Sequence, residues 1–288
     1  MKRKFYFLLL AVCMFLIPSA ALADAAPGDV IVTLGEDLSN EQKDQLLAEM
    51  DIAEDVEPVI VTNEEEHQYL GNYISKSQIG SRAISSAKIT IGHKDSGLNV
   101  ETNNITWVTE EMYANALVTA GVKDADIYVT APFEVSGTAG LTGILKAYEV
   151  QANIDIPEEQ KQVANEEMVK TAELGDKIGV EKASELMTKI KEEIAANPPE
   201  TEEDLRSLIE KIADQLGITL TDEELNGLVS LFNRMKDLNI DWDQVQGQLE
   251  HIRDNLDEFL NREETQSFIQ RFIDFVVSII DSLKSWFN

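Results

Sequence analysis

Hydrophobic and polar positions along this chain change period near its middle. In the first half the apolar runs are short and bounded by turn residues. Gly28 to Thr33 reads as a strand, Ser39 opens a helix with Gln42 three residues on and with Leu47 and Ile52 on its buried side, and Pro58 to Thr62 reads as a second strand. The same spacing returns from Gly97. A strand runs to Thr102, Thr109 opens a helix, Leu117 and Val122 fall at the matching offsets, and Asp126 to Thr130 forms a strand ending in the same Val-Thr. The pattern predicts two copies of a strand-helix-strand unit, each followed by another helix, Glu64 to Ile74 and Gly137 to Val150. Between the copies, Ala87 to Gly92 alternates as a further strand with Ile89 and Ile91 on one face. Ser39 and Thr109 suit helix caps, because a hydroxyl there accepts a hydrogen bond from an otherwise unpaired first-turn amide. A mixed or parallel sheet under helices is the economical way to bury such units.

Beyond Val150 to Pro157 the period becomes helical. Ten of the fifteen glycines precede that point, so the second half has few breakers. Helices are predicted over Glu158 to Lys177 and Val180 to Ala196; after Asn197-Pro198-Pro199, Glu202 to Leu216 carries Leu205, Leu208, Ile209, Ile212 and Leu216 on one stripe. Thr221 with Glu224 forms a capping box before Leu225, Leu228, Val229, Phe232 and Met235. Asp241 with Gln244 forms a looser one before Val245, Leu249, Ile252, Leu256 and Phe259. From Phe268 a last helix sets a wide apolar face against a stripe of Gln270, Arg271, Asp274, Ser278, Asp281, Ser282 and Ser285. Its charges oppose a membrane span, and its polar face lacks the Lys/Arg excess of an anionic-membrane binder. It is expected in the bundle or in self-association, with peripheral membrane contact as the alternative.

The first two dozen residues add a location. Lys2, Arg3 and Lys4 precede the apolar run Phe5 to Ile17, and Ala21-Leu22-Ala23 offers a cleavage site before Asp24, the organisation of a secretory signal peptide. Cleavage between Ala23 and Asp24 would remove Cys13, so the mature chain is expected to rely on packing without disulfides. The expected organisation is a leader over 1–23, an α/β (α+β) domain over 24–153 and an all-α helical bundle domain over 154–288. The formal charge is −29, and loss of the three leader cations makes it −32. Such a chain repels nucleic acid and anionic lipid, while its 43% hydrophobic content supports a folded core.

Candidate chemistry is sparse. The three histidines, His67, His93 and His251, stand apart; there is no H-E-x-x-H, C-x-x-C, EF-hand loop or G-x-S-x-G. No cofactor or metal is called for. Asp124 with Asp126, and Asp241 with Asp243, suit turns or caps better than a cation. The glycines of Ser136 to Gly143 follow a strand and open a helix, where amides can hold an anion, but their simpler use is close helix–sheet packing. The candidate ligand surface comprises Ser81, Arg82 and Ser85 on the loop before the central strand, with Glu134 and Ser136. Arginine beside hydroxyls can hold a carboxylate or phosphate through paired hydrogen bonds; the plainer role for Arg82 is an ion pair with a local carboxylate.

The strings Asp24 to Gly35, Gln78 to Ser85, Gly97 to Thr102, Tyr128 to Ala139 and Leu228 to Asn233 resemble the YpuA-like exported proteins of Bacillus and related Firmicutes, the domain of unknown function 1002 family. The resemblance spans nearly the whole mature chain. It implies a Gram-positive exported protein and supplies no catalytic residues. The expected function is that of a non-catalytic cell-envelope protein binding an envelope component or another protein, at the membrane-wall interface or in the medium. The alternative is a secreted hydrolase or envelope-modifying enzyme using carboxylate or serine chemistry in the α/β domain.

Overall fold

Residues 26–152, 155–238 and 240–250 are described by a computed structural model. The leader, the Ala23–Asp24 cleavage point and the amphipathic helix from Phe268 lie outside the described residues. Five strands, β1 (Val30–Gly35), β2 (Val59–Val61), β3 (Ser86–Ile91), β4 (Leu98–Ile105) and β5 (Ala125–Val135), form one sheet in the order β2-β1-β3-β5-β4. β1 pairs with β2, and β5 with β4, in parallel; β3 lies antiparallel between β1 and β5. The sheet is therefore mixed, with four strands ending at one edge and β3 beginning there.

Helices α1 (Asn40–Glu49), α2 (Asn63–Leu70), α3 (Lys76–Ile79), α4 (Glu110–Thr119) and α5 (Thr138–Ala152) belong to the sheet half. Both strand-helix-strand units form, each followed by a further helix. Their places in the sheet differ. The first unit starts on inner strand β1 and ends on edge strand β2, whereas the second starts on edge strand β4 and ends on inner strand β5. β3 takes the remaining pairing side of both β1 and β5, which leaves β2 and β4 outermost. Side chains alternate across the sheet: Ile31, Ala87, Ile89, Ile127 and Val129 pack with Leu117 of α4 and Leu141 and Ile144 of α5, while Val32 and Leu34 pack with Leu46 of α1 and Met50.

The predicted caps hold these starts in place. Ser39 and Gln42 form a reciprocal capping box, and Thr109 Oγ1 accepts from Met112 N. Thr62 and Glu65 form another box, so α2 begins at Asn63. Helices α6 (Glu158–Ile178), α7 (Val180–Ala196), α8 (Glu202–Gln215) and α9 (Asp222–Asp237) make a mostly helical second region, and residues 242–250 are also helical. Leu186, Met187 and Ile190 meet the α8 and α9 stripes, including Leu205, Ile209 and Phe232. α6 faces both ways, giving Ala164, Met168 and Val169 to the sheet core and Val163 and Leu174 to the helical one. Among the described residues no helix is long and apolar enough to cross a membrane.

Candidate functional site at the carboxyl edge of the sheet

The shared ends of β1, β2, β4 and β5 gather the candidate residues. In open sheets with parallel strands this edge is where loops diverge and ligands bind. Ser86 is opposite Thr130, so the chain entering β3 runs beside the end of β5. This register brings Ser81, Arg82 and Ser85 to the same edge as Glu134 and Ser136. The entering loop is fastened to the end of β1: Asp37 N donates to Ala83 O at 3.2 Å, and Ala83 N donates to Asp37 Oδ2 at 2.8 Å. Gly35 makes that fastening fit, because a Cβ there would stand 2.2 Å from Ala83 O. His67 Nε2 holds the other end of the loop at Gly80 O, 3.0 Å away.

Within this arrangement the candidates separate. Ser81, Arg82 and Glu134 are exposed, and Ser136 is half-buried. Ser85 is 4% exposed, which corrects its expected place on a ligand surface: fastening Ala83 to Asp37 turns the following residues inward. Arg82 also departs from the plainer expectation. Its guanidinium makes no ion pair among the described residues and sits over the ring of Phe133, 5.9 Å from the centroid. The other two described arginines are committed, Arg206 to Asn226 Oδ1 and Arg234 to Glu166 Oε2. Arg82 thus keeps its N–H donors in a chain rich in acceptors. An aromatic ring against the guanidinium holds it by attraction between cation and π-face, at about 0.5–1 kcal/mol for an exposed pair.

Beneath the edge lies a carboxyl that the sequence reading did not single out. Glu66 of α2 is 1% exposed, with Oε1 accepting from Thr138 Oγ1 at 2.5 Å and Oε2 accepting from Asn63 Nδ2 at 3.2 Å. Burial pushes its pKa up to about 7 against those hydrogen bonds, and the charge of Asp37 adds to the rise. Ser136 Oγ in turn stands 3.1 Å from Thr138 Oγ1, a contact in which either hydroxyl can donate. A hydroxyl chain therefore runs from half-buried Ser136 to the buried carboxyl. The signal for Glu66 was its position four residues before Leu70, on the face that α2 buries.

The glycine run after β5 has a packing role. Tyr113 is fully buried and donates its hydroxyl to Gly137 O at 2.5 Å. A Cβ on Gly137 or Gly140 would meet that hydroxyl at 2.6 Å, so these positions admit the tyrosine against the start of α5. Asp124 takes a turn role, with φ 48° and Oδ1 accepting from Gly97 N at 3.0 Å. Among the described residues no group of three or more His, Cys, Asp or Glu side chains is placed to hold a metal ion.

Comparison with known proteins places this geometry in a family context. Residues 34–252 match the family described as "Protein of unknown function (DUF1002)". The chain is 56% identical over 279 residues to "Uncharacterized protein YpuA" of Bacillus subtilis (strain 168), covering 96% of each chain. No solved structure matches it.

Proposed function

The chain belongs to the DUF1002 family, and we propose that it is an exported, non-catalytic binding protein of the cell envelope that holds an anionic group of its partner on Arg82. The leader pattern supports export. The observation that carries the binding role is the guanidinium of Arg82, without an ion pair among the described residues and stacked on Phe133 at the carboxyl edge of the sheet. A guanidinium offers five donors in a planar fork that matches a carboxylate or phosphate, and a ring against its face leaves the in-plane donors unspent. Asp37 and Gly35 fix the loop that carries it, so little ordering is required on binding.

The test is fractionation of the native host into medium, wall and membrane with wild type, Arg82→Ala and Arg82→Lys. Wild type is expected to stay with the envelope, Arg82→Ala to move into the medium, and Arg82→Lys to fall between them because lysine keeps the charge but loses the fork. Identical distributions of wild type and Arg82→Ala would refute the reading.

The Ser136–Thr138–Glu66 chain favours a second reading, a hydrolase in which the carboxyl receives the Ser136 proton through Thr138. A fluorophosphonate probe distinguishes the two. Labelling of Ser136 that disappears in Glu66→Gln supports the enzyme, and unlabelled Ser136 supports the binding protein.

A further inference from the structure

A cleft of about 190 Å³ opens between α2, α5 and α6, formed by different side chains from those at the carboxyl edge. Glu65 and Tyr69 line it from α2, Thr142, Leu145, Lys146 and Glu149 from α5, and Lys161 from α6. Its volume is below the roughly 300–1,000 Å³ of sites for drug-sized ligands, so it suits a smaller molecule.

The charges on its walls are already matched. Lys146 Nζ is 2.6 Å from Glu65 Oε1, and Lys161 Nζ lies 3.0 Å from Glu149 Oε2. Lys161 also reaches Glu149 Oε1 and Glu158 Oε2, which uses its three protons. A charged ligand would therefore gain from one wall group and be repelled by its neighbour. What remains is neutral hydrogen-bonding capacity. Lys146 spends its other contact on Ile60 O and keeps a third N–H, and Thr142, 2% exposed, has its Oγ1 buried without a partner. Glu65 Oε1 accepts from Lys146 and Glu149 Oε2 from Lys161, and each oxygen retains lone-pair capacity. Donors and acceptors thus line the same cleft as Leu145 and Tyr69.

We infer that this cleft binds a neutral, polyhydroxylated molecule of single-sugar size. Each ligand hydroxyl both donates and accepts, so it can give to Glu65 or Glu149 while taking from Lys146 or Thr142 without breaking either ion pair. The carbon skeleton would rest against Leu145 and Tyr69. A buried hydroxyl left unpaired costs free energy in the unliganded fold, and a ligand oxygen at Thr142 would relieve that cost.

The test uses the mature protein, titrated with D-glucose and N-acetylglucosamine, with alanine and acetate as zwitterionic and anionic controls, and read by backbone amide NMR. Either sugar is expected to shift amides around 65–69 and 142–149, and affinity is expected to fall about tenfold in Thr142→Val, an isosteric loss of one hydrogen bond. Thr142→Val should melt at or above the wild-type temperature, because it removes an unpaired hydroxyl without changing the volume. Lys146→Met provides a second variant and should also weaken the sugar. A methyl glycoside that binds equally marks a unit at a chain end; one that fails marks a free sugar, and both accord with the inference. No sugar-dependent shift, shifts by alanine or acetate alone, unchanged affinity in both variants, or a lower melting temperature for Thr142→Val would each overturn it.

Discussion

Lys191 Nζ lies 2.7 Å from Glu167 Oε1, and both side chains are 1% exposed. The pair bridges α7 and α6, and α4 completes its environment: Lys191 donates to Asn115 O at 2.9 Å, and Thr119 Oγ1 donates to Glu167 Oε2 at 2.5 Å. Burial lowers the Lys191 pKa and the charge of Glu167 opposes that fall. A buried charge is tolerable only while its partner is present, so Lys191→Met alone is expected to cost about 3–5 kcal/mol. The double variant Lys191→Met/Glu167→Met should recover most of that loss. Urea denaturation checks both; a single variant as stable as wild type would show that the pair does not hold α4 to the helical region.

Glu66 makes stability fall as pH rises. Its folded pKa of about 7 lies above the ordinary carboxyl value of 4.5, so the folded state holds a proton that the unfolded chain has released. The contribution is fully present below 4.5, declines between 4.5 and 7, and is lost above that window. The span corresponds to about 3 kcal/mol. Glu66→Gln, which never ionises, is expected to flatten this part of the profile and to exceed wild type at pH 8. Denaturation midpoints across pH 4 to 8 check it, and parallel profiles for the two proteins would contradict it.

Both outer strands have a charged side chain on an outward backbone group. Glu110 Oε1 accepts from Thr102 N of β4 at 2.9 Å, and Lys146 Nζ donates to Ile60 O of β2 at 2.7 Å. Unpaired edge groups template strand addition, and charged side chains guard against it. Glu110→Ala should therefore raise concentration-dependent association, while Glu110→Gln, which keeps an acceptor, should remain closer to wild type. Sedimentation velocity over a range of concentrations distinguishes them.

Gly35 is expected to be intolerant of alanine. The added Cβ would press on backbone at Ala83, which cannot turn aside as a flexible side chain would. Overpacking of this kind costs about 1–3 kcal/mol. Gly35→Ala should lower the melting temperature and move the amide resonances of residues 81 to 85; an unchanged loop spectrum would contradict the assigned fastening.

Much of the architecture was legible where local chemistry decides it. Ser39, Thr109 and Thr221 cap helices because hydroxyls satisfy first-turn amides, and α7 ends at Ala196, just before Asn197-Pro198-Pro199. Strand order was less legible. Matching spacing specifies two similar units but does not specify which strand pairs with β3, so the opposite placement of the units emerged only in the sheet. Glu66 was hidden within Glu64-Glu65-Glu66, a run that reads as a solvated face although its third member shares a face with Leu70. Lys191 fell on the stripe between Met187 and Ile194, where a charge signals a buried partner that periodicity cannot identify. Ser85 turned inward because of Asp37, 48 positions earlier in the chain.

The central claim concerns an available guanidinium, and the most direct measurement is the arginine Nε–H spectrum of the mature protein during titration with acetate and then inorganic phosphate. The Arg82 resonance should shift in a saturable way and vanish from the spectrum of Arg82→Lys, while Arg206 and Arg234, already bound to Asn226 and Glu166, should stay in place. An Arg82 signal that ignores both anions, or Arg82, Arg206 and Arg234 moving together, would contradict the account.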